Sequence, residues 1–219
     1  MAESMEPDTP CTTFADALSQ RYGDPFDPSG GCVVVGAPGS DREVQLKLHP
    51  QQQQIEQLTK RVTLTHKNIE SLGHLSDHMR TRLKEVKELD LSFNDLPHWP
   101  AIVDIVSQVP ACEELILSGN RRIAYPCDFP CSEVIRFKRS MQSVRTIVMA
   151  VCEYEWPWVL CAALEVWPST LATLNLHANQ IRDLSPPPAS CFASLDSLDL
   201  SCNSITDWSH VCHLGSLPS

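Results

Sequence analysis

Apolar residues recur along most of this chain in one arrangement, L-x-x-L-x-L-x-x-N-x-L, with polar residues filling the gaps. Val86, Leu89, Leu91, Asn94 and Leu96 match it throughout. So do Leu171, Leu174, Leu176, Asn179 and Ile181, and again Leu195, Leu198, Leu200, Asn203 and Ile205. A fourth copy, Cys112, Leu115, Leu117 and Asn120, departs with Arg122 where an aliphatic residue is wanted. Two weaker copies run through Val62, Leu64 and Ile69, with Lys67 in the Asn position, and through Val144, Ile147, Met149 and Tyr154, with Cys152 there. The fourth positions are then 62, 89, 115, 147, 174 and 198, spaced by 24 to 32 residues. That is the leucine-rich range or slightly beyond it.

The alternation around each Leu-x-Leu predicts a short strand whose inward side chains meet the core. The Asn turns the chain, and its amide satisfies backbone groups left open inside the turn. One repeat cannot bury its own face, so neighbours stack and the core becomes continuous. Returns between strands are helical or irregular. In Trp99–Pro110 the residues Ile102, Ile105, Val106 and Val109 fall at helical spacing, and Trp158–Trp167 is the second such stretch. Pro110 and Pro168 are expected to stop these helices. The predicted fold is an α/β solenoid of about six leucine-rich repeats over 51–219, with a parallel concave sheet. The last return is barely begun at Asp207–Val211 and no closing unit follows, which predicts a shortened product or a last edge covered by a partner.

Residues 1–50 read as a poorly ordered arm, because six prolines and five glycines interrupt them. One helix near 13–22 stands out. Thr12 or Thr13 can cap it, Asp16 suits its first turn, and Phe14, Leu18 and Tyr22 share one face before Gly23 ends it. Too short to stand alone, it is expected to dock on the open end of the solenoid. The Gln51–Gln54 run reads as exposed helix surface.

Charge narrows the choice of partner. The net charge is −10, with −5 in residues 1–50, +1 in 101–150 and −6 in 151–219. An acidic chain repels nucleic acid and anionic membrane, so neither is expected as a partner. No stretch approaches the length of a bilayer span, and the N-terminus lacks the basic start and apolar stretch of a signal peptide, which makes the cytoplasm the expected compartment. There the ten cysteines read as mostly reduced and often buried as small hydrophobes. Cys127 and Cys131 lack a second pair, and His74 and His78 lack a third ligand, so no metal is expected. Phosphate-loop, zinc-protease and nucleophile-elbow motifs do not occur, and Gly36–Gly39 lacks the lysine and helix of a nucleotide cradle. The chain therefore reads as a non-enzyme without cofactor or small-molecule substrate.

The phrase from Glu88-Leu-Asp-Leu-Ser-Phe-Asn94 through Trp99 and Val109-Pro110 to Glu114-Leu-Ile-Leu-Ser-Gly-Asn120 resembles the leucine-rich region of the tubulin-folding cofactor E family. Asp199-Leu-Ser-Cys-Asn203 with Trp208 repeats it, and Phe14–Tyr22 is similar to the short helix preceding the repeats in that family. The resemblance covers roughly residues 12 to 219. Residues 1–50 do not carry the Gly-Lys-x-Asp-Gly type motif of the family's CAP-Gly domain, which favours its E-like branch, and no ubiquitin-like domain follows the repeats. The resemblance implies binding of α-tubulin or the tubulin dimer, control of dimer folding, stability or dissociation, and a cytoskeletal setting. It transfers no single contact residue. The alternative is a leucine-rich scaffold or regulatory subunit for another cytosolic protein, such as a phosphatase.

Two surfaces are candidates for docking. Strand residues pointing outward line the concave face: Glu88, Asp90, Glu114, Ile116, Thr146, Val148, Thr173, Asn175, Ser197 and Asp199, joined by Phe93 and His177. A basic island of Arg121, Arg122, Arg136, Lys138, Arg139 and Arg145 reads either as solvated surface or as a patch for an acidic protein. The five tryptophans are expected in the core or packed in returns.

Overall fold

The computed structural model describes residues 12–23, 32–35, 44–47, 60–126, 129–188 and 190–216. Cys11, Gln51–Gln54, Gly36–Gly39, Cys127 and most of the N-terminal arm lie outside that set. In chain order the strands are β1 (Thr12–Thr13), β2 (Cys32–Val35), β3 (Val44–Lys47), β4 (Arg61–Thr63), β5 (Ile69–Ser71), β6 (Glu88–Asp90), β7 (Glu114–Ile116), β8 (Thr146–Val148), β9 (Thr173–Asn175) and β10 (Ser197–Asp199). The helices are α1 (Phe14–Tyr22), α2 (Asp77–Leu83), α3 (Trp99–Val106), α4 (Cys131–Ser140), α5 (Trp156–Glu165) and α6 (Trp208–Cys212), and a 3-10 turn follows over His213–Ser216.

Six strands form one parallel sheet in the order β4-β6-β7-β8-β9-β10. Its register aligns Val62, Leu89, Leu115, Ile147, Leu174 and Leu198. These are the six positions that the repeat pattern picks out. The first five are fully buried, while Leu198 at the open edge is half-buried. Each coil places its helix or irregular return on the far side of the sheet, where α3 contacts α4 and α4 contacts α5. The fold is a leucine-rich α/β solenoid.

Asparagines join one coil to the next. Asn94 Nδ2 donates to Leu64 O in the preceding coil and to Leu91 O in its own, both at 2.8 Å, while its Oδ1 accepts from Lys67 N and Ile69 N. Asn179 repeats the arrangement with Met149 O, Leu176 O, Cys152 N and Tyr154 N. Cys152 stands in for an asparagine, its thiol donating to Leu117 O at 3.5 Å and Ala150 O at 3.4 Å. After Asn120 the chain slips by one residue. Ile123 becomes the buried aliphatic, and Arg122 faces solvent.

Such a tight turn forces the residue before each of these positions into the left-handed region. His66, Phe93, Gly119, Val151, Ala178 and Cys202 all have φ between 52° and 73°. Glycine fits best at 119, where a Cβ would lie 2.3 Å from Cδ1 of Phe93 and the ring would have to move.

Helix α1 closes the first edge. Thr13 caps it in a reciprocal capping box with Asp16, and Gly23 ends it with its N–H on Ser19 O. Phe14, Leu18 and Tyr22 are buried, as their spacing predicts. The Tyr22 hydroxyl accepts the Thr63 N–H at 3.0 Å, and β1 pairs in parallel with β5. The helix therefore covers backbone groups that the first strand would otherwise leave open.

Four features differ from the sequence reading or extend it. Helices α3 and α5 end at Val106 and Glu165, ahead of Pro110 and Pro168, so the prolines follow the ends without setting them. Helix α4 occupies the long interval between the third and fourth strands of the sheet. Strands β2 and β3 pair antiparallel, where an arm was expected. Trp208 is 78% exposed, while Trp99, Trp156, Trp158 and Trp167 are buried. Trp99, Trp158 and Trp167 form a cluster with ring centroids 5.9 to 6.4 Å apart.

Candidate protein-docking surfaces

Strand alternation sends two rows of side chains out of the sheet, opposite the core. The first row is Arg61, Glu88, Glu114, Thr146, Thr173 and Ser197; the second is Thr63, Asp90, Ile116, Val148, Asn175 and Asp199. The predicted concave residues therefore come together as one continuous surface. Sequence reasoning missed Arg61 and Thr63, although Val62 between them carried the same alternation.

The rows have different electrostatic characters. Arg61 pairs with Glu88 at 2.7 Å. Glu114 has its carboxyl raised above the usual value, first by partial burial and then by the like charge of Glu88. In the second row the side chains brace their own turns. Asp90 Oδ1 accepts from Ser92 N and Oγ, and Asn175 Oδ1 from His177 N. Asp199 Oδ1 accepts from Ser201 N and Oγ, and those bonds lower its carboxyl below the usual range. Phe93, 44% exposed, stacks on His66 at 4.7 Å. His177 Nδ1 lies 2.8 Å from Ser201 Oγ.

The basic residues do not form one patch. Arg121 and Arg122 follow the outer end of β7, paired with Glu153 at 2.7 Å and Asp95 at 3.8 Å. Arg145 precedes β8, so it sits at the opposite end of the neighbouring strand. Arg136, Lys138 and Arg139 lie on α4. Arg136 holds Asp104 at 2.6 Å and Glu133 at 2.9 Å. Lys138 and Arg139 are exposed. Adjacency in sequence does not become adjacency in space here, because one coil of about 26 residues carries the chain around the whole section of the solenoid.

Among the described residues no group of three His, Cys, Asp or Glu side chains is placed to hold a metal ion, and no helix is long and apolar enough to cross a membrane. A cavity of about 430 Å³ lies between Asp77, Arg80, Ser107 and Gln108. One of about 210 Å³ lies between Glu155, Trp156, Gln180 and Arg182.

No family model matches the chain. Curated proteins do. Tubulin-folding cofactor E of Arabidopsis thaliana is 28% identical over 215 residues, which is 94% of this chain. The human tubulin-specific chaperone cofactor E-like protein is 32% identical over 130 residues, or 59% of this chain. Tubulin-specific chaperone E of Rattus norvegicus is 30% identical over 133 residues, or 61%. The likeness is to the tubulin-folding cofactor E family. Both branches of that family are matched at 28–32% identity. The chain spans 38%, 28% and 24% of the lengths of these three relatives. Among solved structures, an internalin from Listeria monocytogenes aligns over 80% of this chain and 55% of its own, with 17% identity and a TM-score of 0.36. That likeness is too slight to build on, and the fold rests on the sheet order and register of this chain itself.

Proposed function

We propose that this chain is a non-catalytic tubulin-binding protein that works through the concave face of its solenoid. The observation that carries the reading is the 94% of the chain that aligns with a cofactor E protein, a span that includes the capping helix as well as the repeats. Binding one tubulin subunit better when the dimer is loosened shifts the dimer toward dissociation, because differential affinity is the lever available to a binder without chemistry. Its setting is then the cytoplasm, alongside microtubules.

The test is co-elution of the purified chain with tubulin dimers on size exclusion at micromolar concentrations, combined with turbidity of polymerising tubulin. The expected results are a shifted complex and altered polymerisation. If no complex forms, and a phosphatase or other protein is captured from cytosol in place of tubulin, the reading gives way to a leucine-rich scaffold.

A further inference from the structure

The concave face is apolar at its centre and acidic at its flanks. Ile116 and Val148 are β-branched, half-buried and directly paired across β7 and β8. Thr146 and Thr173 extend this neutral strip. Glu88, Asp90 and Glu114 border it on one side, and Asp199 on the other. The carboxylates are not equivalent. Glu88 is held by Arg61, and Asp90 and Asp199 are occupied by the serines of their own turns. Glu114 has no ion pair among the described residues; partial burial and the like charges of Glu88 and Asp90 press on its carboxylate, Arg61 offsets them only from a distance because it is paired to Glu88, and a cation placed directly on Glu114 is favourable.

The geometry points to a basic amphipathic segment of a partner protein as the occupant of this face, with an apolar side chain on Ile116 and Val148 and a lysine or arginine on Glu114. Glu114 and Val148 sit on adjacent strands, offset by two residues, which places them about 8 Å apart. Side chains three or four apart on a helix are about 6 Å apart at Cβ and splay outward, so one helical turn spans the gap. Opposite charge at the flank then sets register, and the apolar centre supplies the burial. This inference rests on the reading of the concave face as a docking surface and names the chemistry of what it takes.

Two labelled helical peptides test it by fluorescence anisotropy with the whole chain. One carries Lys four residues before Leu in each turn pair; the other has Glu in place of each Lys. The Lys peptide is expected to bind about tenfold tighter, the size of one close charge pair. Glu114→Gln is expected to remove most of that preference. Glu114→Lys and, separately, Val148→Asp are expected to abolish binding, with circular dichroism checking that each variant folds. Equal affinity for the two peptides, or a folded Glu114→Lys variant that binds as before, overturns the proposal. Running tubulin co-elution on the same variants separates the two readings. Peptide binding that depends on Glu114 without any tubulin complex keeps the surface and removes tubulin. A tubulin complex indifferent to Glu114→Lys keeps tubulin and removes the surface.

Discussion

Asn94 donates from Nδ2 to the carbonyl of Leu64, thirty residues earlier, at 2.8 Å. The same side chain accepts two backbone N–H groups from the first coil. Replacing it by alanine leaves buried donors and acceptors without partners, at about 1–3 kcal/mol for each one left unmet. Asn94→Ala is therefore expected to destabilise by about 3 kcal/mol or more. Asn120 makes the two donations, to Leu91 O and Leu117 O, but its buried Oδ1 has no partner among the described residues. Asn120→Ala is expected to cost clearly less, and Asn120→Cys less again, since Cys152 already fills such a site. Urea midpoints of the three variants should fall in that order; equal losses at 94 and 120 would contradict the role given to Oδ1.

These asparagines were legible in the sequence because their spacing is fixed by the coil they close. The six aligned core positions were legible for the same reason, and so was α1, whose cap, buried face and terminal glycine all lie within eleven residues. The slip after Asn120 was half visible: Arg122 announced a departure, but only packing reveals that Ile123 takes the buried place. Helix α4 was not legible, since apart from Phe137 its residues are polar or partly exposed. Nor was the fate of the basic residues, because Asp104 lies 32 residues before the arginine it holds. Strand β2 had a signal in the β-branched run Val33–Val35, overshadowed by the glycines and prolines around it.

Gly119 and Phe93 form a coupled pair. Alanine at 119 meets an unfavourable φ of 73° and the Phe93 ring at once. The ring is exposed enough to swing aside, at the loss of its stacking on His66. Gly119→Ala is expected to destabilise by about 1–2 kcal/mol. In the Phe93→Ala background the same change is expected to cost only the backbone part, about 1 kcal/mol. A double-mutant cycle by chemical denaturation reads the difference, and strict additivity would mean that the ring is not the obstacle.

Stability is expected to fall at alkaline pH. Burial pushes the Cys112 and Cys152 thiols from 9.0 up to about 12, and it raises the Tyr154 hydroxyl, which donates to Asn120 O at 2.6 Å. A raised folded pKa means that the unfolded chain loses these protons first. The contribution is complete below pH 9 and is lost as pH climbs toward 12. Urea midpoints measured from pH 8 to 11 should decline, and Cys152→Ala should flatten the slope. Native-state alkylation followed by mass spectrometry is expected to label exposed Cys131, Cys202 and Cys212 well before Cys112 and Cys152.

Helix α4 offers a way to separate charge used for folding from charge available to a partner. Arg136 bridges Asp104 on α3 to Glu133 on its own helix. Arg136→Glu puts a third carboxylate beside those two, and the expected cost is about 1 kcal/mol after solvent screening at a partly exposed site. A loss of tubulin association in that variant would therefore mix two effects. Lys138→Glu with Arg139→Glu alters exposed positions, and stability is expected to hold within about 0.5 kcal/mol. If α4 meets an acidic part of the partner, this double variant binds tubulin several-fold more weakly and its affinity varies less with salt, because the long-range attraction has been removed. If affinity and salt dependence both stay at the unmodified level, α4 is solvated surface, and recognition falls to the concave face and Glu114.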